Sequence, residues 1–215
     1  MIGDLLGPAI GIAASPFPVI PAILLLLTPR ATANAASFLA GWAAGVLVAT
    51  TAFVLLESVI ELAEEAPTWV SWARVALGLA LVVLGVRQWL SRREEQPAPA
   101  WMESLGSASP GSAARLGLLL SLANPKILLF CAAAGLGIGA SSVTGVSAAL
   151  TVVLFALAAS VSVALPLLAH LVLGDRATAP LRTANDWLSE HNATVMALVL
   201  LVIGALVLSK GVSGL

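Results

Sequence analysis

Lys126 is the residue whose chemistry most demands an explanation, because it follows Asn124-Pro125 inside an apolar run from about Ala113 to Ala140. It is the one ionisable side chain placed near the centre of such a run, where a charge costs at least ~2.5 kcal/mol unless something compensates it. No acidic residue lies at comparable depth. Either the charge is met by an anionic ligand group such as phosphate, sulfate or carboxylate, or it is met by the carbonyls that the prolines release, or the side chain snorkels to the interface. Ser15 has a matching setting, since Ser15-Pro16-Phe17-Pro18 and then Pro21 interrupt the first apolar run. Each break falls roughly 11 or 12 residues from its helix start, about 17 Å along the axis and near the midplane of a ~30 Å hydrocarbon core.

Proline lacks a backbone donor and clashes with the carbonyl one turn earlier, so both helices should be kinked or unwound at these points. Polar backbone groups freed at membrane depth must meet a neighbouring helix, water or a ligand. A single proline often only bends a membrane helix, but paired interruptions in corresponding spans point to a transporter binding site. The candidate substrate-binding residues are thus Lys126, Asn124, Pro125, Ser15, Pro16 and Pro18. Asn124 and Ser15 either bond a headgroup or cap a half-helix. Arg30, after Pro29, either draws an anionic headgroup to the entrance or sets the topology, and its position favours the second. His170, after Pro166, has the side chain of a proton relay, although a lone interfacial histidine is more often structural.

Other chemistries find little support. No Ser/His/Asp set, carboxylate dyad or metal-ligand cluster lies within the apolar runs, so neither an enzyme nor a metal or cofactor is expected. Cys131 is the single cysteine, which excludes an internal disulfide or a Cys-x-x-Cys pair. G-x-x-x-x-G-K-[ST] is absent, so energy is expected from a gradient, the substrate or a partner. A net charge of −1 and scattered basic residues give no nucleic-acid patch.

The elements that must position these residues follow from composition: of 215 residues, 60% are hydrophobic and only 10% charged, with a mean hydropathy of +1.03. That is the composition of a membrane protein. Continuous Leu/Ala/Val runs, rather than alternation, indicate helices and not a barrel. At roughly 20 residues per span the chain accommodates six, at about Leu5–Thr28, Ala33–Leu56, Trp69–Leu90, Ala113–Ala140, Val143–Gly174 and Ala193–Val212. The first has no basic segment before it and reads as a retained span. An interfacial segment is expected at Arg176–His191, with Trp187 at headgroup depth.

The stretch SRREEQPAPAWMESLGSASPGS, Ser91 to Ser112, divides the single membrane domain into halves 1–90 and 113–215, with 91–112 as a cytoplasmic linker. Placing both termini outside puts Arg30, Arg87, Arg92, Arg93, Arg115, Arg176 and Arg182 inside, against Arg74 and Lys210 outside. Three spans per half then make any repeat inverted: two three-helix units, with helices 1 and 4 broken at proline. Gly41 and Gly45, and Gly135, Gly137 and Gly139, should allow close helix contact, and both sets are also compatible with a homodimer. Glu57, Glu61, Glu64 and Glu65 read as a solvated extension of span two.

Two stretches carry a family resemblance. SPFPVIPAILLLLTPRATANAASFLAGWAAG, Ser15 to Gly45, resembles the opening of the GAP or Sap family of actinobacterial glycolipid- or sulfolipid-addressing membrane proteins, and NPKILLF, Asn124 to Phe130, resembles a signature of the wider lysine-exporter (LysE) superfamily. The resemblance implies a bacterial cytoplasmic-membrane protein that exports or flips an anionic lipid or lipid-linked saccharide, in contact with membrane lipids and with larger lipid-export machinery. More distant relatives imply an amino-acid-type exporter, and a non-transporting scaffold of a lipid-export complex is the third reading. Redox-active relatives carry paired cysteines, which this chain lacks.

Overall fold

The computed structural model describes residues 2–61, 68–91, 105, 107–141, 143 and 145–212, and among them there is no strand. The chain is an all-helical membrane protein. Two of its apolar runs are each split into a pair of helices. The first comprises α1 (Ile2–Ala13) and α2 (Pro16–Leu26), bent by 46°, and the second α5 (Pro110–Leu122) and α6 (Pro125–Gly139), bent by 68°. In both pairs the second helix begins with proline, whose missing N–H is no loss at the first helical position and whose fixed φ suits a helix start. The sequence therefore terminates and restarts each helix at one place.

The single helices are α3 (Ala31–Glu61), α4 (Thr68–Leu90), α7 (Val146–Leu173) and α8 (Thr178–Val212), the last preceded by a 3-10 turn at Gly174–Ala177. α3 and α7 are long and apolar enough to cross a membrane, as is each bent pair counted as one span. α4 and α8 carry shorter apolar stretches, Val75–Leu90 and Met196–Ser209. The segment Arg176–His191, expected at the interface, is helical from Thr178, where it forms the first part of α8 and runs on into the last apolar stretch. Nothing between His191 and Met196 breaks that helix, since the intervening residues include neither Pro nor Gly.

α3 is the central strut, packing along both α5 and α6, while α7 packs along both α1 and α2. α3 also meets α7, and α4 runs against α8. Small residues permit this closeness. A Cβ at Gly41 would strike the Ala114 carbonyl, one at Gly117 the Phe38 carbonyl, and one at Gly45 the Ser121 hydroxyl, so α3 and α5 are in backbone contact. Gly135 and Gly139 face α3 in the same way, but Gly137 faces open space, because two residues of helix turn the side chain to the opposite face. Phe38, Trp42, Ile127 and Phe130 fill the core beside these contacts.

The glutamate cluster also needs correction at its first member. Glu57 is buried, with its Cβ and Cγ against Gly139, rather than solvated. The side chain of Glu61, together with Glu64 and Glu65, lies outside the described residues.

Candidate functional site

The two helix breaks meet through side chains 111 residues apart in sequence. Lys126 Nζ donates to Ser15 Oγ at 3.0 Å, and it also contacts Met196 Sδ of α8. Ser15 Oγ lies 3.5 Å from the same sulfur. Three elements thus converge on one ammonium group: the α1–α2 break, the start of α6 and the apolar part of α8.

Local folding explains the different roles of Ser15 and Asn124. Both stand in the N-cap position before a proline, but only Asn124 caps, its Oδ1 accepting from the Lys126 backbone N–H at 3.1 Å. That bond fixes the backbone of the residue that carries the ammonium. Ser15 makes no side-chain cap bond. Its hydroxyl is instead committed to Lys126 and Met196, and because Ser15 is fully buried it is a hydrogen-bonding partner rather than an accessible nucleophile.

Lys126 faces a cavity of about 220 Å³ bounded by Phe17, Leu84, Gln88, Asn124, Pro125, Met196 and Leu200. Among the described residues no acidic side chain lines it, and the partners recorded for the ammonium are neutral. Sulfur and hydroxyl acceptors solvate a cation less well than a carboxylate would, and an anion entering the cavity gains a charge-assisted bond. A second and larger cavity, about 560 Å³ and lined in part by Ser15, lies between α1–α2, the second half of α7 and the first part of α8. Its wall is almost wholly apolar, with Val19, Ile23, Leu165 and Leu181 among its residues. Ser15, part of the wall of the larger cavity, is thus hydrogen-bonded to the lysine that lines the smaller one.

Of the sequence candidates, the structure brings together Ser15, Asn124, Pro125 and Lys126. Pro16 is the first residue of α2, and Pro18 is buried in the same turn. Arg30 is exposed in the turn after α2 and lines neither cavity, and half-buried His170 near the end of α7 is likewise absent from both walls. Sequence reasoning missed Met196, Gln88 and Phe17. Met196 was detectable in principle, since Met196, Leu200 and Ile203 recur at helical spacing and form the buried stripe of α8.

A family model described as Sap, sulfolipid-1-addressing protein, matches residues 5–213 and so takes in every residue of this site. No curated protein and no solved structure matches the chain.

Proposed function

We propose, from the premise that the chain belongs to the Sap (sulfolipid-1-addressing protein) family, that it is a transporter moving an anionic lipid or lipid-linked saccharide across the cytoplasmic membrane. The observation that carries this reading is the Lys126–Ser15 contact at 3.0 Å, which joins the two helix breaks around a cation whose cavity holds no acidic side chain among the described residues. An acidic headgroup is the missing counter-charge, and the adjoining apolar cavity offers room for hydrocarbon. A small polar solute would call for a closed chamber rich in hydroxyls and carboxylates. The large cavity is the reverse of that.

Alternating access between inverted halves is the mechanism we infer, with six spans once α4 and α8 are counted as crossing. Exchanging α1–α2 for α5–α6, α3 for α7 and α4 for α8 turns the packing of α3 on α5 and α6 into that of α7 on α1 and α2. The same exchange turns α2 on α8 into α6 on α4. These reciprocal contacts support a pseudo-two-fold relation in which the two breaks occupy equivalent places. The distribution of Arg residues supports both termini outside. A shared ancestry with small exporters of the LysE superfamily belongs to the same reading, as does the absence of any catalytic step.

The test is translocation of a fluorescent anionic lipid by the purified protein in vesicles, normalised to folded protein. Lys126→Met keeps most of the side-chain length, so it should insert and fold at least as well as the parent while losing translocation. Lys126→Arg should recover part of it, since charge is kept but size and bonding geometry change. Full activity of Lys126→Met would remove the ammonium from the mechanism. Amino-acid efflux without lipid movement would favour a solute exporter, and neither activity would favour the scaffold.

A further inference from the structure

The apolar cavity contains an uncharged polar patch distinct from Lys126. Ser162 and Pro166 of α7 line it opposite Ala14 and Ser15. Pro166 has no amide hydrogen, so the Ser162 carbonyl, four residues earlier, lacks its helical donor. The Ser162 hydroxyl is buried and has no hydrogen-bond partner. A carbonyl without its helical donor and a hydroxyl without a partner in an apolar wall are costly to leave unmet, and ligand groups would meet them.

We propose that Ser162, with the carbonyl released by Pro166, forms a second subsite that reads neutral hydroxyl groups on the cargo. The inference rests on the lipid reading above and deepens it: the acidic group goes to Lys126, and a polyol or sugar hydroxyl goes to α7. Backbone carbonyls are acceptors only, so they favour hydroxyl donors over ethers, esters or bare hydrocarbon. Ser162 Oγ both donates and accepts, which suits a hydroxyl in turn. Ser15 lines the same cavity as Ser162, but its hydroxyl is already committed to Lys126.

The test compares binding of short-chain phosphatidylinositol and phosphatidylethanol to the purified protein. Both probes are phosphodiester monoanions, and only the first carries a polyol. The parent protein should prefer phosphatidylinositol. Ser162→Ala should reduce that preference by about fivefold, the size expected of one hydrogen bond, while leaving phosphatidylethanol binding unchanged. Pro166→Ala, which returns an amide to the Ser162 carbonyl, should act in the same direction. Lys126→Met should weaken both lipids alike and preserve their ratio. Equal affinity of the parent for the two lipids, or parallel weakening of both by Ser162→Ala, would overturn the hydroxyl subsite. If Lys126→Met alters neither affinity, the anion reading fails, and the polyol preference is judged separately by the Ser162 and Pro166 variants.

Discussion

At position 124 a single hydrogen bond determines how the ammonium two residues later is presented. Asn124 Oδ1 holds the Lys126 N–H at 3.1 Å and starts α6 there. Asn124→Ala should therefore cost about 1 kcal/mol of stability, the usual value of an N-cap. It should also weaken anionic lipid binding, because the first turn of α6 frays and Lys126 loses its fixed origin. Asn124→Asp keeps the cap, so thermal unfolding in detergent should return to the parent value. Its added carboxylate, however, faces the same cavity as Lys126 and should compete with the cargo for it. Stability rescued without binding rescued is the expected result; loss of both in the Asp variant would show that the cap is not what holds this turn.

Between elements, the α3–α5 contact brings two backbones together, and α5 leads directly into the break before α6, which carries Lys126. Gly117→Leu would drive a side chain into the Phe38 carbonyl. Overpacking of this kind costs typically about 1–3 kcal/mol, and because the obstacle is backbone the upper end is expected, read as a lowered thermal midpoint. Gly137→Leu, directed into open space, should leave the midpoint unchanged. At this scale the sequence was informative where one residue type has one structural meaning. Pro16 and Pro125 located both helix starts, and Gly41, Gly45, Gly135 and Gly139 marked close contacts. It was uninformative where the outcome depends on a neighbour. The burial of Glu57 follows from Gly139 opposite it, and the commitment of Ser15 to Lys126 rather than to capping follows from two chain segments meeting across 111 residues. The continuity of α8 was hidden for another reason: its first turns are polar and its later ones apolar, and a change of solvent along the axis looks like a change of element.

For the whole molecule, the lone ammonium has an electrical consequence. If access to the site alternates while Lys126 stays near mid-depth, the positive charge crosses part of the transmembrane field each time the empty protein changes state. The full field is worth about 2.3 kcal/mol per elementary charge per 100 mV. A monoanionic cargo cancels the charge, so the loaded step becomes indifferent to voltage while the empty return is drawn towards a negative interior. An inside-negative potential imposed on vesicles should then accelerate outward cycling of a monoanion by acting on the return alone. A neutral cargo would leave the loaded site positive and be held back, and a dianion would be driven outward in the loaded step. On the proposed transport reading, the charge of Lys126 would make the molecule a counter of charge: the sign and steepness of its response to voltage would report how many negative charges its passenger carries.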